Sequence, residues 1–181
     1  MKPGIIFTLI FAAFVPALAS AAGLPPWQFG MSKSQVASFK EFGPYKSFSN
    51  GDLETYSGRF QGQKENIQFF FRGDRLRRIG IYLFEGKDPK KGVPVFQRAY
   101  DYLQRTYGKV VVPELRAAPG SEPLNSFVIA IGAGANADVT GKTEMHPVKQ
   151  PKDMRVSAEF MSYHSREGKS YTVAIFLDPK A

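Results

Sequence analysis

The sequence predicts an α+β fold: an antiparallel sheet in αβββ then αβββ order, covered on one face by two helices. Three observations predict it. Apolar and polar residues alternate with a period of two through 53–84, and strand-like apolar segments return at 155–177. A capped helix start precedes the first strand run, and apolar residues at three- and four-residue steps precede the second. Sixteen Phe and eight Tyr, with one Trp, suit half-buried sheets.

The chain opens with Met1-Lys2, runs apolar from Ile5 to Val15, and continues Pro16-Ala17-Leu18-Ala19-Ser20-Ala21-Ala22. A positive start, an apolar run of roughly 11 residues and a small-residue exit make a secretory signal peptide over 1–21. Two cleavage frames fit, after Ala19 or after Ala21. A membrane span needs about 20 apolar residues, and Pro16 ends this run early, so no transmembrane segment is expected after cleavage. With no cysteine in the chain, the amino terminus has no thiol to carry a lipid, and stability rests on packing alone. The expected product is a periplasmic domain, 22–181, of about 160 residues, enough for a single core.

Gly23-Leu24-Pro25-Pro26 reads as an extended linker, and Trp27-Gln28-Phe29-Gly30 leads into the first helix. Ser32 and Gln35 form an S-x-x-Q capping box, Met31 is placed to staple onto Val36, and Gly43-Pro44 ends the element. Leu53–Phe60, Ile67–Arg72 and Leu76–Phe84 read as three strands, with turns at Gly62-Gln63 and Gly73-Asp74. Glu85–Gly92 reads as a charged turn. Phe96, Ala99, Tyr100, Leu103 and Tyr107 mark one face of a second helix that begins near Val93-Pro94 and is capped by Gly108. Beyond it, Val110–Val112 and Ser126–Ile131 read as strands and Gly132–Pro151 as a long irregular loop. Arg155–Tyr163 and Ser170–Leu177 form a terminal hairpin. No internal sequence repeat is apparent.

Chemistry-bearing patterns are sparse. Gly132-Ala133-Gly134-Ala135-Asn136-Ala137 matches G-x-G-x-x-A, but the helix and βαβ setting that a dinucleotide site needs are missing around it. Arg72-Gly73-Asp74 is what a hairpin turn calls for. His146 and His164 are the only histidines; Glu144 stands near the first, and nothing completes a zinc ligand set. Asp52, Glu54, Glu85 and Glu159 are carboxylates with no spacing that marks a general-acid pair. No catalytic, cofactor or metal residues are therefore assigned, and no cofactor is expected.

The formal charge is +8, of which Lys2 contributes one, leaving about +7 on the exported domain. A basic exported protein meets anionic partners such as lipid head groups, wall polymers or acidic proteins; nucleic acid is excluded by export. Arg75 and Arg78 are the candidate anion contacts in the densest basic segment, which also holds Arg72, Arg77, Lys87, Lys90 and Lys91. Phe69-Phe70-Phe71 turns Phe70 away from its neighbours, so a second sheet face carries aromatics. The candidate partner surface is Trp27, Phe29, Tyr45, Tyr56, Phe70 and Tyr82.

Phe29-Gly30-Met31-Ser32-Lys33-Ser34-Gln35-Val36, closed by Gly43-Pro44 and followed by a strand meander, resembles small bacterial envelope proteins. These are the outer-membrane assembly lipoproteins of the SmpA/OmlA type (BamE-like) and the related β-lactamase-inhibitor-protein-like modules. The chain also resembles uncharacterised periplasmic proteins of proteobacteria. The likeness covers residues 29 to 84. This chain departs from it in having no lipidation cysteine and in carrying a further helix and strands. The resemblance implies a scaffold for contacts with an envelope protein, as an assembly factor or an inhibitor, rather than catalysis. An anionic envelope lipid or polymer is the alternative ligand, and hydrolysis a remote third reading. Amino-terminal sequencing of the exported protein should find Ser20 or Ala22 as its first residue; an intact Met1 in the membrane fraction would contradict cleavage.

Overall fold

A computed structural model of the chain describes residues 23–113, 142–165 and 168–180. The signal segment, the expected strand Ser126–Ile131 and the glycine-rich segment 132–137 lie outside the described residues. The described chain is mostly β, which corrects the α+β expectation of two helices covering a sheet. Its elements are β1 (Gly23–Leu24), β2 (Trp27–Gln28), α1 (Lys33–Ala37), a 3-10 turn (Lys40–Phe42), β3 (Lys46–Ser47), β4 (Leu53–Phe60), β5 (Gln63–Arg72) and β6 (Arg75–Gly86). They continue with α2 (Pro89–Tyr107), β7 (Val110–Val111), β8 (Lys142–Pro147), β9 (Met154–Ser165) and β10 (Gly168–Pro179).

The capping box forms as the residues require. Ser32 accepts from the Gln35 N–H at 3.2 Å and Gln35 Oε1 accepts from the Ser32 N–H at 2.8 Å. Even so, α1 is five residues long, little more than one turn, and so too short to cover a sheet. A good cap starts a helix but does not lengthen it. Asp74, the last residue of the Arg-Gly-Asp turn, also accepts from the Lys33 N–H at 3.0 Å.

A single antiparallel sheet of order β3-β4-β5-β6-β10-β9-β8-β7 organises the rest. It consists of two four-stranded runs, β3 to β6 and β7 to β10, each in sequence order and each entered through a helix. The runs meet at the antiparallel β6–β10 pair, where Ile81 lies opposite Ile175. A half-turn between β6 and β10 would exchange the two strand sequences. This topological repeat has no counterpart in the residues, since α1 spans five and α2 nineteen.

One face of the sheet is packed. The row Met145, Ala158, Ile175, Ile81, Ile67 runs across β8, β9, β10, β6 and β5, and all five are fully buried. α2 lies over β6 to β10, inserting Phe96, Ala99, Tyr100 and Leu103. Each large side chain so buried stabilises the fold by about 1.5–3 kcal/mol. The β4–β5 end of the same face is covered instead by the irregular chain from Gly23 to Ser47. Trp27 is its centre, with ring centroids 4.9 Å from Phe69 and 4.8 Å from Phe42.

Further boundaries differ from the sequence reading: β5 begins at Gln63, expected in a turn, and the hairpin strands β9 and β10 run longer than 155–163 and 170–177. α2 begins at Pro89, with Asp88 as its cap accepting from the Lys90 N–H at 2.9 Å; Pro94 therefore sits inside the helix, opposite a carbonyl of its first turn. Lys142–Pro147, expected as loop, is strand β8, with Thr143, Met145 and Pro147 buried between more exposed neighbours.

Gly58 follows a bulge in β4 between Thr55 and Gly58. A methyl group there would overlap the Ile67 side chain, which is stiff at its branched carbon. Gly58→Ala should therefore cost about 1–3 kcal/mol, measured as a lower urea midpoint. An unchanged midpoint would show that Ile67 yields freely.

Candidate functional site

The face of the sheet opposite α2 is covered by no described element. Alternation along the strands decides what it carries. Across β5, β6, β10, β9 and β8 one row reads Asn66, Tyr82, Ala174, Glu159, Glu144. The next reads Glu85, Thr172, Met161, Lys142 across β6, β10, β9 and β8. Ala174 and Thr172 are small residues between larger ones, so a hollow forms above the β6–β10 seam. Its volume is about 390 Å³, and Tyr82, Glu85, Lys142, Met161, Ser162, Tyr163 and Thr172 line it.

Several polar groups around the hollow are tied to one another, and two buried ones are not. Lys142 Nζ lies 2.8 Å from Glu144 Oε2 and 2.9 Å from Glu159 Oε1. These two hydrogen bonds raise the ammonium's pKa. Asn66 Nδ2 donates to Glu85 Oε2 at 3.1 Å. Asn66 Oδ1 and Thr172 Oγ1, by contrast, are buried without a hydrogen-bond partner. Such atoms cost the fold the desolvation of a polar group, about 1–3 kcal/mol each. Both lie on this face, on neighbouring rows.

Beside the hollow, Gly80 leaves room for three rings. A methyl group at Gly80 would come within 3.0 Å of Tyr82, 3.1 Å of Phe176 and 3.2 Å of Phe70. Arg78 stacks over Phe176 at 5.1 Å and makes a two-point contact with Asp178, at 2.7 and 3.1 Å. At the other end of the face, Tyr56 is 55% exposed and lies under the Lys46 ammonium at 5.2 Å. Burial raises its phenol, and the charges of Glu54 and Glu85 add to this.

The proposed surface residues therefore divide. Tyr56, Phe70, Tyr82 and Arg78 share the uncovered face. Trp27 is 1% exposed, and its indole donates to the Tyr45 hydroxyl at 3.3 Å, which in turn donates to the Phe39 carbonyl at 3.1 Å. Phe29 is half-buried against the same core. These three hold the amino-terminal segment to the sheet. Arg75 donates to the Gly30 carbonyl at 3.0 Å, a bond within the chain, as is the Arg78–Asp178 pair.

Of the four carboxylates singled out in the sequence, Glu54, Glu85 and Glu159 come to the uncovered face. Asp52 instead accepts from the Phe71 N–H at 2.8 Å. Lys142, Met161, Tyr163 and Thr172 went unassigned in the sequence. Their signal was the alternation in Lys142–Pro147 and the pairing of the last two strands. His146 Nδ1 lies 3.8 Å from Glu144, and no group of three or more His, Cys, Asp or Glu able to hold a metal occurs among the described residues. No helix among them is long and apolar enough to cross a membrane.

No protein-family model, curated protein or solved structure matches the chain.

Burial, and then the charges of Glu85 and Glu159, oppose ionisation of Tyr82 and push its phenol from the ordinary 10.0 up to about 12. The folded state therefore holds a proton that the unfolded state releases, and stability falls as pH rises across that interval. A tyrosine ζ-carbon NMR titration should find Tyr82 ionising near the upper value and shifted down in Glu85→Gln. Ionisation of Tyr82 at the ordinary tyrosine value would contradict the assignment.

Proposed function

We propose that this protein is a non-catalytic periplasmic module that contacts an envelope protein through the uncovered face of its sheet. The observation that carries the reading is the pair of exposed rings, Tyr56 at 55% and Tyr163 at 46%, on a sheet whose opposite face is fully packed. Tyrosine is favoured at protein contacts because it combines a large apolar body with a polar tip and few rotatable bonds. A rigid sheet holds such rings ready, so little ordering remains to oppose binding. The amino-terminal resemblance to envelope assembly and inhibitor modules points the same way, and the signal-like start supports an encounter outside the cytoplasm.

Binding of an anionic envelope lipid or polymer draws less support. Arg75 and Arg78 both have partners within the chain, and the uncovered face carries Glu54, Glu85, Glu144 and Glu159. Lys46 and Arg155 share that face, each opposite a carboxylate, Glu54 and Asp178.

A photoreactive benzophenone side chain placed at Tyr56 or Tyr163 in living cells should yield a discrete protein adduct. The same group at Gln104 or Arg105, exposed on α2, should not. Adducts absent from both sheet positions, or identical from all four, would sink the reading.

A further inference from the structure

We infer that the hollow over the β6–β10 seam is a socket for a cationic hydrogen-bond donor, the ammonium or guanidinium of a basic side chain on the partner. The inference rests on the protein-contact reading above and names the group that the partner brings. Thr172 lines the hollow, is 4% exposed, and has a hydroxyl without a partner. Asn66, 6% exposed, donates its amide hydrogen to Glu85 and leaves its carbonyl oxygen unpaired. Thr172 stands opposite Glu85 in the register, and Asn66 opposite Tyr82. The acceptors that line the hollow are thus a carboxylate and a hydroxyl, with the Asn66 amide bonded to that carboxylate. Both accept hydrogen bonds, and only the hydroxyl also donates.

Charge selects the same class of ligand. Lys142 is already engaged by Glu144 and Glu159, and Glu85 has no cation at hydrogen-bond distance among the described residues. An anionic group would enter against these carboxylates. The walls suit a cation on an apolar stem as well. Tyr82 and Tyr163 line it with aromatic rings, which attract a cation, and Met161 adds apolar surface for the methylenes that carry it. A neutral ligand would satisfy Thr172 but would gain nothing from the charge of Glu85. The unpaired groups are therefore best matched by a positive donor.

Solution NMR of the exported protein, titrated with n-butylammonium or n-butylguanidinium, provides the test, with n-butanol and butyrate as neutral and anionic controls. The cations should shift the Thr172 methyl and Tyr82 ring signals saturably, and added salt should weaken them. Thr172→Val keeps the shape and removes the unpaired hydroxyl. It should weaken cation binding about tenfold while the thermal midpoint stays the same or rises. Glu85→Gln should weaken it by a similar factor. Equal binding of butanol, preferential binding of butyrate, or no saturable shift would overturn the inference. Formation of the Tyr163 photoadduct should also fall in Glu85→Gln. An undiminished adduct in that variant overturns the socket and leaves the protein-contact reading standing. Absence of any adduct in the unsubstituted chain sinks the contact reading, whatever the titration gives.

Discussion

The pairing of β6 with β10 is the contact on which the rest of the molecule depends. These strands close the two halves of the chain onto each other, with the whole of α2 and everything up to β9 intervening. Pairing across such a span is entropically expensive and must be offset by what the seam buries. On one face it aligns Ile81 with Ile175 in a row of five buried side chains. On the other it places Thr172 opposite Glu85. Core and candidate site are thus two sides of one register. A slip of one residue would turn both inside out, so whatever specifies the core also specifies the hollow.

The two faces differ in how they are finished. The packed face is apolar and is covered by α2 and by the Trp27 segment. The other face carries the buried polar residues Glu54, Asn66, Glu159 and Thr172, and several polar groups there touch one another: Lys142 with Glu144 and Glu159, Asn66 with Glu85, Arg78 with Asp178. Charged groups so arranged add little net stability against solvent. They do order a surface. The tyrosine and phenylalanine rings gathered over Gly80 rigidify the same region by packing rather than by charge.

Much of the fold was legible in the residues, and the failures have physical causes. The alternation from Leu53 to Phe84 located three strands because one face of each is buried and the other is not. The Ser32–Gln35 cap was legible because a capping box is local chemistry. Its helix length was not, since that depends on tertiary packing which Gly43-Pro44 and the Trp27 cluster cut short. Pro94 drew the expected start of α2 inward, although Asp88-Pro89 carried the truer signal of a cap followed by a first-turn proline. The Gly- and Ala-rich stretch before Lys142 masked the period-two pattern of β8, and with it the cation of the candidate site. Trp27, Phe29 and Tyr45 illustrate a different limit. Aromatic residues in an irregular segment look alike in sequence whether they face a partner or the chain's own core, and here the core holds them. Thr172 and Asn66 carried no signal at all, because an unpaired polar atom is a property of the assembled neighbourhood.

The sheet also ends in an unusual way. Among the described residues its outermost strands, β3 and β7, are two residues long, and β4 beside the first is interrupted by its bulge. An incoming chain seeking to add itself as a further strand finds few consecutive backbone groups to zip onto. Any chain that met this sheet would have to engage side chains on its broad surface, so that recognition would be read from chemistry and not from backbone pairing that any extended peptide would supply.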